Sequence, residues 1–184
     1  MVDTKKIEAA CRELLAAIGE DPDRDGLKDT PSRWARWWSE FISPKEAGAW
    51  STFPVSLSGE DIVTMAGIEE FSVCEHHLLP FRFTASLGYI PGERVLVLSN
   101  FARIVRHASG GLSIQENLTK RILQDIQTAT GSSHVIVKLS GVHSCMEMRG
   151  ARCPATTTTI SASGKFLKHR FRQAFLDAEK SNTR

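Results

Sequence analysis

The spacing of apolar residues changes along this chain from a helical period to a strand period and back, which limits the folds it can adopt. Apolar residues recur at helical spacing from Ile7 to Ile18, and Thr30-Pro31 has the composition of a second helix start. Beyond residue 71 the chain becomes rich in aromatic and β-branched residues. Strands are predicted over 81–90, 94–98, 135–139 and 156–161, and helices over 99–108, 113–128 and 166–178.

Pairs of strands separated by pairs of helices are typical of an α+β domain with an antiparallel sheet and helices on one face. We therefore expect an N-terminal helical arm and linker over residues 1–58 and a sheet-containing domain over 59–184. A single sheet of this kind has open edges, and such edges are often closed by assembly. The pattern thus favours a ring-forming homo-oligomer.

Composition excludes several classes of partner. The 23 basic and 21 acidic residues give a net charge of +2, without the clustered basic face that nucleic acids or membranes usually require. No stretch approaches the roughly 18 apolar residues of a membrane span, and the first residues do not have the pattern of a signal peptide. We expect a cytoplasmic protein with neither nucleic acid nor membrane as a partner.

Two clusters combine cysteine with histidine. The first is Cys74-Glu75-His76-His77, in which a Cys-x-x-His spacing lets a thiolate and an imidazole reach one ion from a tight turn. The second, His143-Ser144-Cys145, supplies another thiolate. Two thiolates and one imidazole leave a fourth position open for water or substrate, which is typical of catalytic zinc sites. Iron(II) could occupy a similar site, and single cysteines are often only small buried apolar residues.

If Cys74, His77 and Cys145 bind the metal, His76 and His143 remain beside it. Histidine titrates near neutral pH and is the commonest general acid or base. A metal that activates water, together with two free imidazoles, indicates a hydrolase or cyclohydrolase. Alternatively, either histidine could orient a metal ligand without moving a proton.

Two further patterns allow both a structural and a binding interpretation. Several arginines follow or precede these clusters, and guanidinium groups suit phosphate oxygens, although a single surface arginine is usually only solvated charge. Ser113-Ile114-Gln115-Glu116 fits a helix capping box, in which Glu116 bonds back to the Ser113 amide. A carboxylate beside an amide can also read the donor edge of a guanine.

Several motifs together resemble the GTP cyclohydrolase I family. They are LKDTPSRWARWW (27–38), CEHHLLPF (74–81), LSNFARIV (98–105), IQENLTKRI (114–122), HSCMEMRGAR (143–152) and TTTT (156–159). The similarity runs from about residue 8 to 178, with the motifs in order. CEHH followed by H-x-C-M-x-x-R-G is highly specific.

The resemblance implies a tunnelling fold (T-fold) whose subunits form stacked rings, commonly a decamer, with active sites between subunits. It implies conversion of GTP to 7,8-dihydroneopterin triphosphate and formate. The implied zinc ligands are Cys74, His77 and Cys145, and the implied proton-transfer residues are His76 and His143. Gln115 and Glu116 would recognise the guanine edge, and Arg36, Arg103, Arg149 and Ser99 would hold the triphosphate.

The chain departs from the family pattern at one end of this implied site. Asn100 follows Ser99 where the family usually has lysine, which removes an expected cation, and the next stretch, RHASGGLS (106–113), is rich in glycine. Two alternatives therefore remain open. One is a variant cyclohydrolase that acts on another purine nucleotide or stops at another product. The other is a non-catalytic, zinc-stabilised ring protein that binds nucleotides.

Overall fold

The structure, a computed structural model, describes residues 2–42, 50–56 and 60–182. The chain divides into two compact units, residues 1–44 and 45–184. The boundary predicted between residues 58 and 59 lies outside the described residues and stays a prediction.

The first unit consists of two helices, α1 (Thr4–Ala17) and α2 (Thr30–Ile42). The side chain of Asp3 accepts a hydrogen bond of 3.1 Å from the backbone N–H of Lys6, which satisfies one of the free donors at the start of α1. Within this unit the helices bury Cys11 and Leu15 on α1, and Pro31 and Ala35 on α2.

The second unit contains two sheets and the remaining helices. In chain order its elements are β1 (Thr52–Pro54), β2 (Val63–Cys74), β3 (Pro80–Tyr89), β4 (Arg94–Leu96), α3 (Leu98–Ser109), β5 (Leu112–Ser113), α4 (Gln115–Thr130), β6 (Val135–His143), α5 (Ser144–Glu147), β7 (Thr156–Ala162), a 3₁₀ turn (Gly164–Leu167) and α6 (His169–Asn182). The five-stranded sheet has the order β5-β2-β3-β6-β7, and β1 pairs with β4 separately.

Alternation along β3 explains how the sheet is covered. Phe81, Phe83, Ala85, Leu87 and Tyr89 are all buried and pack in one cluster with apolar residues of α3 and α4. Side chains at alternate positions of a strand point to opposite faces. The larger core therefore lies between one face of the sheet and these two helices.

Helix α6 covers part of the opposite face. Gly88 lies so close to α6 that a Cβ there would come within 2.8 Å of the Phe175 ring. An ion pair of 2.7 Å between Lys138 and Glu179 joins α6 to β6. The predicted α+β class is confirmed, but the expectation of helices on one face describes only α3 and α4, because α6 buries phenylalanines on the other.

The long strands pair antiparallel as predicted, whereas the short β5 pairs parallel to the end of β2. This register positions one end of the sheet for function. Cys74 ends β2 opposite Ser113, and His143 ends β6 opposite Phe81. Among the described residues, no helix is long and apolar enough to span a membrane.

Candidate metal centre and active site

The end of the sheet brings the three predicted metal ligands together. One ligand atom from each of Cys74, His77 and Cys145 lies within 4.8 Å of the other two. Cys74 ends β2, and Leu78 N–H donates a 2.9 Å hydrogen bond to the Cys74 carbonyl, which closes the turn that carries His77. Cys145 comes from the first turn of α5, directly after β6. The spacing prediction thus corresponds to a real cluster of donor atoms.

The geometry and chemistry of this cluster fit a tetrahedral metal ion. The Sγ of Cys74 lies 3.8 Å from Nδ1 of His77. Zinc bonds of about 2.3 Å to sulfur and 2.0 Å to nitrogen at a tetrahedral angle would place these atoms about 3.5 Å apart. Burial raises the pKa of the Cys145 thiol, and the neighbouring Cys74 adds to the rise. A divalent cation would offset both effects, because it stabilises thiolates.

Arg149 lies on the outer side of the metal group. Its guanidinium contacts Nε2 of His77, the ring nitrogen that faces away from Cys74. Guanidinium is a hydrogen-bond donor only. When Nδ1 binds a metal, Nε2 of a neutral imidazole carries the proton and becomes a donor as well, so Arg149 then needs another acceptor. Anionic oxygens are suitable acceptors for it.

His143 is fixed on two sides. Its ring stacks on Phe81 with centroids 4.6 Å apart and an angle of 14° between the planes. Its Nε2 lies 2.9 Å from Oε1 of Gln115. Burial lowers the pKa of His143 below its ordinary value, and the negative charge of Glu116 partly opposes this change. At neutral pH the ring is therefore predominantly neutral and can accept a proton.

His76 has a different environment. Its side chain is exposed, and its ring lies edge-on to His77 with centroids 6.2 Å apart. It is therefore near the metal group while remaining accessible to a molecule from solvent. The sequence predicts the same role for His76 and His143. In the structure, however, the His143 ring is held by Phe81 and Gln115, whereas the His76 ring is exposed to solvent.

Gln115 and Glu116 begin α4 and point to different surroundings. Gln115 is only 1% exposed, and its amide contacts protein groups, whereas Glu116 is exposed. The capping-box alternative is wrong, because the N-cap position of α4 is Ile114, without a side-chain cap. The hydroxyl of Ser113 instead donates to the Ile114 carbonyl at 3.0 Å. The carboxylate of Glu116 is thus not needed to cap its helix.

The remaining predicted ligands lie on helices. Ser99 and Arg103 are exposed on α3, and Arg36 is exposed on α2 of the first unit. Between residues of the second unit that the structure describes, no hydrogen bond or ion pair joins Ser99 or Arg103 to the metal group. Asn100, where sequence comparison suggested a missing cation, is 4% exposed, and its amide donates to the Ser51 carbonyl at 3.2 Å.

Sequence reasoning missed the residues that support His143. In the sequence, Phe81 belongs to the CEHHLLPF motif and Thr157 and Thr159 belong to the run of four threonines, but neither motif indicates contact with His143 or Gln115, and Gly141 lies in no motif. The run of four threonines was the available signal, because β7 places alternate threonines towards α4.

An open set of two thiolates and one imidazole, with two further imidazoles beside it at one end of an α+β sheet, could hold a metal ion and is typical of metal-dependent enzymes. The sequence profile described as GTP cyclohydrolase I matches residues 7–180. The chain belongs to the GTP cyclohydrolase I family. The resemblance noted from the motifs is thereby confirmed, together with the enzyme class expected from it, and the α+β sheet agrees with the expected tunnelling fold.

Individual relatives agree with this assignment. The chain is 44% identical over 168 residues to the GTP cyclohydrolase 1 of Hyperthermus butylicus, covering 90% of this chain and 84% of the relative. It is 40% identical over 179 residues to that of a Sulfurihydrogenibium species, covering 96% and 95%. The protein of the same name from Deinococcus radiodurans is 39% identical over 183 residues, covering 97% and 85%.

Two solved structures resemble part of the chain. An archaeosine synthase QueF-Like in the apo form is 20% identical, with a TM-score of 0.47, and matches 56% of this chain and 93% of that one. The dihydroneopterin aldolase of E. coli, solved with neopterin, is 17% identical, with a TM-score of 0.45, and matches 56% and 99%. The assignment therefore depends on the sequence relatives.

Proposed function

We propose that this chain hydrolyses GTP at C8 of the purine, giving 7,8-dihydroneopterin triphosphate and formate, with zinc held by Cys74, His77 and Cys145. The observation that carries the proposal is the group of three ligand atoms that lie within 4.8 Å of one another. His143, whose ring contacts Gln115, precedes the ligand Cys145 by two residues. The overall change consumes two waters in opening the imidazole ring and removing formate. One water is released when the pyrimidine amine condenses to close the pterin.

Proton transfers fall to the two histidines that do not bind the metal. Zinc, when bound in this group, lowers the pKa of a coordinated water and so supplies a nucleophile near neutral pH. The neutral ring of His143 accepts a proton during water addition at C8. His76, whose side chain is exposed, donates a proton to N7 as the addition of water at C8 converts the C8–N7 double bond to a single bond.

Glu116 is the proposed reader of the guanine edge. Its carboxylate is exposed at the start of α4, where helix N–H groups favour a negative charge. A carboxylate can accept hydrogen bonds from both N1–H and the 2-amino group of guanine. Gln115 was expected to share this role, but its amide is buried and contacts protein groups instead.

Arginines are the proposed ligands of the triphosphate. Arg149 lies against His77 and needs an acceptor once the metal is bound, which a phosphate oxygen would provide. Arg103, Ser99 and Arg36 are exposed on helices. We assign them to the same triphosphate, in active sites between subunits, as the resemblance to the family implies.

We also propose that the chain assembles into rings, as a decamer of two pentamers. Both edges of the five-stranded sheet carry exposed apolar side chains, Phe71 and Leu112 on one edge and Ile160 on the other. Pairing of opposite edges in neighbouring copies would remove this surface from water and close the sheet. The cytoplasmic location remains a prediction from the sequence.

Nucleotide selectivity tests the function. Zinc-loaded protein is incubated separately with GTP, ITP and ATP, and formate and oxidised pterin are quantified. We expect turnover of GTP, weaker turnover of ITP because it lacks the 2-amino group, and none of ATP. Formate without pterin would favour a variant cyclohydrolase, and neither product from zinc-loaded oligomer would favour a non-catalytic ring protein.

A further inference from the structure

The side-chain amide of Gln115 is enclosed by protein groups and has one possible orientation. Its Nε2 lies 2.9 Å from the Thr157 carbonyl, 3.3 Å from the Leu139 carbonyl and 3.1 Å from Oγ1 of Thr159. Two of these three groups can only accept hydrogen bonds. Turning the amide over would place its oxygen against two carbonyl oxygens, so the nitrogen must face the strands.

This orientation determines which nitrogen of His143 carries a proton. With Nε2 of Gln115 directed at the strands, its Oε1 faces Nε2 of His143 at 2.9 Å. An amide oxygen is an acceptor only, so Nε2 of His143 must be the donor. In the neutral ring the proton is therefore on Nε2, and Nδ1 carries the lone pair.

The neighbouring residues keep this pair in place. A Cβ at position 141 would overlap Oε1 of Gln115, so the glycine there leaves the space that the amide oxygen occupies. Phe81 stacks on the His143 ring and restricts rotation of its plane. Both the plane of the imidazole and its tautomer are thus fixed by buried groups of the protein.

We infer that Gln115 is a positioning residue that holds His143 in the Nε2–H tautomer, with the lone pair on Nδ1. Under the proposed function, Nδ1 is then the ring atom that faces the reaction. The Nε2–H bond to Gln115 exists in both the neutral and the protonated ring, so it need not break when Nδ1 gains or loses a proton. The amide, only 1% exposed and fully engaged with protein groups, is then not a reader of guanine. The tautomer follows from hydrogen bonds alone, whereas its catalytic use rests on the proposed function.

The tautomer can be measured without any turnover. Nitrogen-15 spectra of histidine-labelled, assembled wild-type protein distinguish protonated from unprotonated ring nitrogens, and the signals missing in His143→Asn identify those of His143. We expect Nε2 to be protonated and Nδ1 unprotonated. A neutral His143 with its proton on Nδ1 would overturn the inference, and this measurement requires no variant at Gln115 to fold.

Gln115→Met, which keeps the length of the side chain and removes its hydrogen bonds, tests the consequence. We expect a mixture of His143 tautomers, a kcat about 10- to 100-fold lower and a KM for GTP changed by less than about twofold. Glu116→Gln is the matched comparison, with a raised KM and an unchanged tautomer. If Gln115→Met instead raises KM, with kcat and tautomer unchanged, Gln115 reads the substrate and the inference is wrong.

Discussion

Nδ1 of His77 lies 3.8 Å from the Sγ of Cys74, and one tight turn separates the two residues. The turn is closed by the hydrogen bond from Leu78 N–H to the Cys74 carbonyl. Local backbone structure therefore prepares two metal ligands. The third, Cys145, depends on the pairing of β6 with β3, which places the end of β6 beside the same turn.

Replacing Cys145 with serine should remove most of the bound metal. The hydroxyl is a weaker ligand for zinc than a thiolate, so we expect less than about one tenth of the wild-type zinc per subunit and a comparable loss of GTP turnover. The measurement is metal content after dialysis against a weak chelator. Cys153→Ser is the control, since Cys153 is exposed and outside the group. Full zinc in the Cys145 variant would exclude Cys145 as a ligand.

Arg149→Ala should weaken substrate binding while leaving the metal in place. Loss of a charge-assisted contact to phosphate is expected to raise the KM for GTP about 10- to 100-fold. Steady-state kinetics and zinc content are measured on the same preparation. Arg152→Ala, an exposed arginine of the same segment, should change KM by less than about twofold. Equal effects of the two substitutions would contradict a specific role for Arg149.

Asp125→Asn should stabilise the protein in a pH-dependent manner. Burial raises the pKa of Asp125 above 3.8, partly offset by His107 and Arg121. The folded state therefore binds the carboxyl proton of Asp125 more tightly than the unfolded state does. The stability that this proton contributes is present below about pH 3.8 and is lost as pH rises through the raised pKa of Asp125.

The asparagine variant avoids that loss, so its Tm should exceed that of wild type at pH 7 and match it near pH 3.5. Thermal unfolding at both values provides the test. Asp177→Asn, an exposed substitution on α6, is the control and should leave Tm nearly unchanged. A lower Tm for Asp125→Asn at pH 7 would mean that attraction to His107 and Arg121 outweighs the burial of the charge.

Gly88→Ala should destabilise the packing of α6 on the sheet. The added Cβ would lie 2.8 Å from the Phe175 ring and 3.1 Å from Ile136. Forcing a methyl group into a packed core costs about 1–3 kcal/mol. Gly92→Ala is the control, because no atom lies within 4 Å of its added Cβ. Denaturant unfolding should separate the two variants, and equal stability would show that α6 can shift without cost.

Much of the fold could be predicted because its signals are local. The β3 strand, α3 and α4 follow the apolar period closely. No strand was predicted over β2, apart from the change of composition near residue 71, because Gly67, with a φ of +78°, interrupts its alternation near a register shift. The two-residue β5 is too short to have a period. An amphipathic α6 gives no indication of which sheet face it covers.

The residues of the candidate site also fall into two groups, those that local sequence predicts and those whose surroundings depend on the fold. Spacing predicted Cys74 and His77 because one turn sets their distance. The surroundings of Gln115 could not be predicted, because its partners Leu139 and Thr157 lie 24 and 42 residues away and are fixed by strand register. Asn100 was interpreted as a missing cation, whereas burial and the hydrogen bond to Ser51 are properties that only the fold reveals.

The most direct test of the proposed reaction is to follow C8 of GTP, the carbon that leaves as formate. Zinc-loaded protein is incubated with GTP labelled with carbon-13 at C8, and the products are quantified by NMR and by pterin fluorescence. We predict labelled formate and unlabelled dihydroneopterin triphosphate in equal amounts, with both lost when zinc is removed and regained when it is restored. Release of neither product by assembled, zinc-loaded protein would contradict the account.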